Sequence, residues 1–520
     1  MGKKIINNKF YLFALMFLLI LVLRIPALYH TIIDIDEAAF AEFANKWLGG
    51  AIPYVGVYDN KPIVTYLFYY IIFYLFGINN LFAVHVATLF LVFISTVVVY
   101  WFIEKIAGMD EAVASSLFFI FLMHTYEPKY IATNTETLYT LPVLLAFVWY
   151  YVVVWEKKSI LYAVLSGMCA GIAFLINYKA GVIVAAFGVF SIYVLCKASD
   201  KKGELLNQIK ILGSIGIGFI IPVCIAIVYF FHKRALNEFI SLGFLYNFKY
   251  IQSGMVSVPY LKAIARFLLF GICSLPLWFL IVRQLFYEYE KSNTDKNLIL
   301  LLVIWLSGSI FAVMLGWRAY GHYFIQLALP LSLLAGLSIH SVSALFLKRS
   351  YVFLTVLAVI LTASRINIPL TYHFLGDSNA LSDFAYKKVA TRVQAITSPD
   401  DTMFVWGSGA SAYIYANRRC SSKIIITDYV SGRQFGVSNE DMGENVNKYI
   451  QYLRDEFIKE FMQNPPTVFI DTSPSGYYGY DRFPLNKFPD LSEIIKNNYS
   501  FDCNIDDMNI YILNKYTKKQ

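Results

Sequence analysis

The sequence predicts a polytopic α-helical membrane protein, with about eleven transmembrane helices plus juxtamembrane helices and a C-terminal extracytoplasmic α/β domain. Three observations predict it. Of the 520 residues, 58% are hydrophobic and 15% charged, whereas soluble domains carry roughly a quarter charged residues. Mean hydropathy is +0.56; so much apolar chain cannot be covered by a polar surface, and lipid is its natural solvent. Apolar runs recur along residues 1–370, and residues 371–520 change to short apolar stretches set between polar ones.

Lys3, Lys4 and Lys9 precede an apolar run from Phe10 to Tyr29 that is interrupted once, at Arg24. No small-residue cleavage site follows, so the run reads as a retained first helix and not as a signal peptide. Further spans lie near 80–103, 111–126, 137–155, 160–176, 180–196, 209–231, 260–282, 297–315, 323–346 and 351–370. About 20 residues at ~1.5 Å each cross the ~30 Å hydrocarbon core. Residues 62–77 (PIVTYLFYYIIFYLFG) are apolar but short and Tyr-rich, and read as a juxtamembrane helix lying along the interface. The 39 Tyr and 43 Phe suit many helix ends at headgroup depth.

Charge sets the orientation. Residues 1–370 hold 27 Lys and Arg against 17 Asp and Glu, a net of +10, and residues 371–520 hold 16 against 18, a net of −2. With the N-terminus cytoplasmic, the inner loops carry Lys105, Lys157 and Lys158, Lys197, Lys201 and Lys202, Arg283, Lys291 and Lys296, and Lys348 and Arg349, as the positive-inside rule demands. An odd number of spans then puts the tail outside, and 30–79, 127–136, 232–259 and 316–322 become the outer loops.

In the tail, DTMFVWG (401–407), SKIIIT (422–427), PTVFID (466–471) and MNIYIL (508–513) read as buried strands, with helical spacing over 383–397 and 446–463 between them. Alternation of this kind points to a small α/β domain. The tail shows neither a phosphate loop nor a catalytic triad. Cys169, Cys196, Cys224 and Cys273 lie in or beside apolar spans and read as small core residues; pairing of Cys420 and Cys503 is left open.

The first outer loop opens with Asp34-Ile35-Asp36-Glu37. Phe40, Phe43, Ala44 and Trp47 then recur at helical spacing, so a short amphipathic helix follows the acids. These acids have two compatible readings: a helix cap, or a carboxylate fixed near the membrane surface to act as a general base. Tyr58-Asp59-Asn60-Lys61-Pro62 follows, with proline starting the next helix. Lys61 is either a snorkelling lysine or, in an outer loop where the orientation rule gives no reason for a cation, a phosphate ligand. Lys179 has the same two readings. Arg318 and His322, four apart, would share a helix face; Arg318 suits bidentate phosphate binding, whereas His322 is also an ordinary interface residue. Glu136 either caps or pairs with a cation. Tyr58, Tyr320 and Tyr323 read first as belt aromatics.

Taken in order, these motifs carry a resemblance. An Asp-Glu pair after the first helix, an aromatic-rich helix ending in Gly49-Gly50, then Asp59-Asn60-Lys61-Pro62 and a helix ending in Phe76-Gly77 resemble the C-type glycosyltransferase superfamily. The nearest likeness is to its dolichyl-phosphate-mannose protein mannosyltransferase and bacterial aminoarabinose transferase group. Asn134-Thr135-Glu136, SGMCAGIAFLINYKAG (166–181), Arg318 with His322-Tyr323-Phe324, Gln326 and Pro330, and the tail's DTMFVWG with Asn417-Arg418 extend it over nearly the whole chain. Two departures stand out: Lys61-Pro62-Ile63 where the family often has Lys-Pro-Pro, and His85 where it often has arginine.

The resemblance implies a transmembrane glycosyltransferase domain over 1–370, with its catalytic loop at about 30–79, and a soluble extracytoplasmic domain over 371–520. It implies that Asp36 activates the acceptor, with Glu37 a second choice or an orienting partner, and that Lys61 binds the carrier phosphate. Because phosphate charge grows as the sugar–oxygen bond breaks, fixed cations stabilise the transition state; Lys179, Arg318 and His322 are the further candidates. Asp59, Glu136, Tyr58 and Tyr323 are candidate active-site neighbours. The expected reaction is inverting transfer of a hexose or pentose from a polyprenyl-phosphate carrier to a hydroxyl of a glycan, lipid or protein. No His, Cys and Asp cluster has metal-ligand spacing, so no metal or other cofactor is expected, and no nucleic acid partner. The rival is a flippase of lipid-linked sugars, which would place ionisable residues near mid-membrane. The tail's likeness to bacterial members points to a bacterial inner membrane.

Overall fold

A backbone in hydrocarbon has no water to bond, so apolar runs satisfy their own N–H and C=O groups as helices. The computed structural model describes residues 2–124, 128–257, 259–286, 295–341, 378–433 and 444–516. The expected span 351–370, the end of 323–346, and Lys291, Lys348 and Arg349 lie outside these residues. Among the described residues ahead of the tail, the α-helices run as α1 (Gly2–Tyr29), α2 (Ile35–Leu48), α3 (Ile63–Phe76), α4 (Leu81–Ala107), α5 (Met109–Leu122), α6 (Thr135–Val154), α7 (Leu161–Phe174), α8 (Val182–Lys197), α9 (Lys201–His232), α10 (Leu236–Ile240), α11 (Tyr246–Ser257), α12 (Tyr260–Cys273), α13 (Leu275–Phe286), α14 (Lys296–Met314) and α15 (Ala328–Leu337). Among the described residues six helices are long and apolar enough to cross a membrane: Lys9–Tyr29, α4, α6, Tyr178–Lys197, α9 and α14. Shorter apolar helices are α3, α7, α13 and Gly321–Leu337.

One expected span is two helices. Residues 260–282 break at Ser274 into α12 and α13. The cause is Pro276, which lacks an N–H and whose ring would clash with the carbonyl four residues back in a continuous helix.

The chain divides into two compact units. The first comprises Met1–Thr31, Val84–Tyr229 and Tyr260–Ile368. Small residues set its packing, because helices in lipid associate by close van der Waals approach and not by expelling water. A Cβ added at Gly167 on α7 would stand 2.0 Å from the carbonyl oxygen of Ile215, and one at Gly218 on α9 would stand 2.0 Å from that of Val164. A Cβ at Gly336 on α15 would stand 1.8 Å from the Ser115 hydroxyl oxygen on α5 and 2.8 Å from its Cα. Arg24, the interruption in the first run, is fully buried and donates from Nη2 to the Ile131 carbonyl at 2.6 Å.

The second unit comprises Ile32–Ala83, Phe230–Pro259 and Pro369–Gln520. Its sheet orders β1 (Thr402–Trp406), β2 (Arg419–Cys420), β3 (Val468–Asp471), β4 (Tyr499–Ile505) and β5 (Met508–Leu513) as β2-β1-β3-β5-β4. β2, β1 and β3 are parallel, and β5 and β4 are antiparallel additions. Helices α16 (Ser378–Ile396), α17 (Ala410–Ala416), α18 (Asp428–Ser431), α19 (Glu444–Gln463) and α20 (Pro489–Asn498) complete the tail. Residues 422–427 are not a strand. The Lys423 amide donates to Glu460 and the Ile424 amide to Ser422 Oγ, so side chains take the hydrogen bonds a ladder would need. The edge strand β4 is an addition to the expected strands, although Tyr499, Phe501, Cys503 and Ile505 alternate with Ser500, Asp502 and Asn504 at the period of a strand.

Within this unit α2 rests on the tail through Glu42. Its Oε1 accepts the Cys420 amide at 2.9 Å, and the residue is buried. Burial raises the Glu42 carboxyl above the usual range, with Lys46 and Arg419 partly offsetting it. A raised folded-state value means that this group favours folding fully below the ordinary glutamate value and loses that contribution as pH rises through the raised one. Glu42→Gln, neutral at every pH and still an acceptor, is expected to flatten the pH dependence of Tm across that window. Glu42→Ala strands the Cys420 amide and is expected to cost about 1–3 kcal/mol. Thermal unfolding of the purified protein in detergent at several pH values measures both.

Candidate active site

The candidate residues fall in both units. In the second unit, Asp34 stands at the N-cap of α2 with extended backbone, and Asp36 and Glu37 occupy the first turn. The Glu37 carboxylate accepts the amides of Ile33 at 2.8 Å and Asp34 at 3.2 Å, the reciprocal half of a capping box. Glu37 is buried and held by backbone, which suits it to fixing the helix start. Asp36 is half-buried. It lies one turn before Phe40, on the face that meets α3: Phe40 packs edge-on to Tyr66 and Tyr69, and Phe43 stacks on Tyr66 with ring centroids 3.6 Å apart.

Tyr66 also holds the lysine loop. The Lys61 amide donates to the Tyr66 hydroxyl at 3.1 Å, and the Tyr54 hydroxyl donates to the Lys61 carbonyl at 2.7 Å. Asp59 is buried; its Oδ1 accepts the Asn60 amide at 2.7 Å and the Tyr429 hydroxyl at 2.9 Å. Asn247 on α11 donates to the Asn60 carbonyl at 2.8 Å. The Tyr58 amide donates to the Lys423 carbonyl at 2.7 Å, and the Lys423 ammonium lies 4.9 Å from the Tyr58 ring centroid. Burial, reinforced by Tyr452, Glu460 and Glu238, pushes the Tyr58 hydroxyl up to about 12, so it stays protonated at neutral pH. The acid helix and the lysine loop are thus parts of one packed assembly joined through Phe43 and Tyr66.

In the first unit, Glu136 is buried in the first turn of α6, after Asn134 at the N-cap, rather than in a loop. Thr135 donates to its Oε2 at 2.8 Å and Asn177 to its Oε1 at 3.2 Å. Asn177 Oδ1 accepts the Lys179 amide at 3.0 Å, which starts the 3₁₀ turn Tyr178–Gly181 between α7 and α8. The Lys179 ammonium sits 3.2 Å from the Tyr323 ring centroid, and the Lys179 carbonyl accepts Gln326 at 3.1 Å. The His322 and Tyr323 rings meet edge-on at 4.9 Å.

Arg318 and His322 do not share a helix face. Gly316, Trp317 and Ala319 have φ of +82°, +57° and +37°, and a 3₁₀ segment starts only at Gly321. Left-handed backbone at Trp317 and Ala319 is costly for side-chain-bearing residues and prevents a helix from starting earlier. Arg318 Nη1 reaches the Tyr320 hydroxyl at 3.4 Å, and Arg266 donates to the Arg318 carbonyl. Among the described residues His322 Nδ1 is buried with no hydrogen-bond partner. Sequence reasoning missed Asn177, Tyr66, Asn247 and Tyr429: Asn177 stands inside the 166–181 motif but was passed over for Lys179, and Tyr66, Asn247 and Tyr429 lie among ordinary neighbours with no spacing to single them out. Among the described residues no three His, Cys, Asp or Glu side chains form a metal-binding group.

Residues 60–230 match the family model described as dolichyl-phosphate-mannose-protein mannosyltransferase. ArnT from Cupriavidus metallidurans bound to undecaprenyl phosphate matches the structure with a TM-score of 0.61 and 11% identity, over 96% of this chain and 97% of that one. AglB, the archaeal oligosaccharyltransferase from Archaeoglobus fulgidus, in complex with an inhibitory peptide and a dolichol-phosphate, matches with a TM-score of 0.54 and 10% identity, over 95% of this chain and 72% of that one. No curated protein matches the chain. The chain therefore shares the fold of these two proteins, and its residues 60–230 are similar to the protein-mannosyltransferase family model.

Asn177 ties Glu136 to the Lys179 turn. Asn177→Ala is expected to lower stability by about 1–3 kcal/mol, because a buried carboxylate loses a donor. Asn177→Asp, which sets a second carboxylate against Glu136, is expected to cost more. The order of Tm values in detergent, wild type above Ala above Asp, checks this.

Proposed function

We propose that the protein is a membrane glycosyltransferase that moves a monosaccharide from a polyprenyl-phosphate carrier to an acceptor hydroxyl on the extracytoplasmic face, by inverting displacement. The observation that carries the reading is the single assembly, formed by α2 against α3, that holds both the half-buried Asp36 and the Lys61 loop. It joins a half-buried carboxylate at a helix start to a cation on a rigid loop. The undecaprenyl phosphate bound by the ArnT neighbour and the dolichol-phosphate bound by the AglB neighbour support a lipid-phosphate ligand.

In this reaction the Asp36 carboxylate takes the proton of the acceptor hydroxyl. The oxygen attacks the anomeric carbon from the face opposite the phosphate, the carbon–oxygen bond to phosphate breaks, and the phosphate keeps the electron pair. Lys61 counters the charge that grows there. Lys179, Arg318 and His322 are assigned as further carrier-phosphate ligands. Asp59 and Tyr58 are assigned to shape the loop, and Glu136 and Tyr323 to hold Lys179. A monophosphate leaving group needs little protonation to depart, and lysine and arginine supply positive charge, so the transfer is expected to survive chelation of divalent metals.

Purified full-length protein given a labelled polyprenyl-phosphate sugar and acceptor glycan is the test. Asp36→Asn is expected to reduce turnover by roughly 10²–10⁴-fold and to leave polyprenyl-phosphate binding within about twofold, whereas Lys61→Ala weakens that binding by roughly ten-fold or more. Wild-type turnover by Asp36→Asn overturns the base assignment. Movement of the labelled carrier across a liposome bilayer without transfer would replace the enzyme by a flippase.

A further inference from the structure

Lys61 bears the proposed phosphate contact; Tyr54 and Tyr66 hold its own main chain locally, but Asp59 and Asn60 beside it are held from far along the chain. The amide of Asn60, the residue before the lysine, donates to Asp59, and Asp59 accepts the hydroxyl of Tyr429, which lies 370 positions further along the chain. The links form one relay from α18 of the tail to the residue before the lysine. A second support arrives from α11, where Asn247 donates to Asn60 and Tyr246 packs against Tyr429 with ring centroids 5.6 Å apart. Asp59 is itself buried. A buried carboxylate depends on its donors, and removing one lets the segment that carries it rearrange toward other partners.

We infer that Tyr429 in the C-terminal domain is a positioning residue for carrier-phosphate recognition: its hydroxyl, through Asp59, fixes the Asp59-Asn60-Lys61 loop so that the Lys61 ammonium is presented in one place. Asn247 performs the same task from the other side of the loop. This inference rests on the assignment of Lys61 to the carrier phosphate. It adds that donor recognition is decided partly by the tail, and that Tyr429 acts without touching the donor.

The test uses the full-length protein in detergent, with undecaprenyl phosphate for binding and a labelled polyprenyl-phosphate sugar for kinetics. Tyr429→Phe removes only the hydroxyl and keeps the ring against Tyr246. It is expected to weaken undecaprenyl phosphate binding and to raise donor KM by roughly ten-fold, the scale of one hydrogen bond to a charged group, with kcat and acceptor KM changed less than about threefold. Asp59→Asn is expected to act likewise, and the double variant to be no worse than the poorer single one, because both cut the same relay. Asn247→Ala is expected to move donor KM in the same direction. Unchanged donor binding and KM in Tyr429→Phe, or effects of Tyr429→Phe and Asp59→Asn that simply multiply, overturn the inference; so does an equal loss in kcat and acceptor KM, which marks a general structural defect. Lys61→Ala is the control that separates the two levels. If it binds undecaprenyl phosphate as wild type does, the underlying assignment of the lysine fails. If it loses binding while Tyr429→Phe does not, only the role of Tyr429 fails.

Discussion

The buried carboxylate of Asp59 is the point on which the lysine loop turns. A carboxylate removed from water must be met by donors, and here they come from the next residue and from the tail. Tyr429 is fixed by contact with Tyr246, and Tyr66, which accepts the Lys61 amide, by the stack with Phe43. The loop between Tyr58 and Pro62 therefore has little freedom, although it belongs to no strand or helix. Pre-organisation of this kind is what a cation needs if it is to favour a developing charge over a resting one.

Charge is handled differently in the first unit. There the ionisable candidates stand where helices begin or break: Glu136 in the first turn of α6, Lys179 in a turn between helices, and Arg318 between two left-handed residues. The Glu136 and Lys179 side chains there are held by Asn177 and Tyr323, and the Arg318 carbonyl by Arg266. Arg24 is held likewise, its guanidinium meeting a carbonyl released where the helical ladder ends.

Glycines 167, 171, 218 and 336 let backbones approach so closely that no Cβ fits. The spacing of the first pair is visible in the sequence, but the surfaces they meet are not.

What the sequence determines by itself is what depends on local chemistry. Sustained apolar runs specify helices in lipid, acids before an amphipathic run specify the start of α2, and Lys61-Pro62 specifies the start of α3. Strands β1, β3 and β5 are legible from short β-branched and aromatic runs. Sequence misleads where a tertiary partner overrides propensity or spacing. Residues 422–427 look like a strand until Glu460 and Ser422 take their amides, and Arg318 and His322 look like a helical pair until the left-handed residues before the 3₁₀ segment separate them. Only the folded chain decides that Tyr429 meets Asp59 and that Asn247 meets Asn60. A hydrogen bond is specified by position and direction in space, and residues hundreds of positions apart leave no mutual pattern in one sequence from which that geometry can be read.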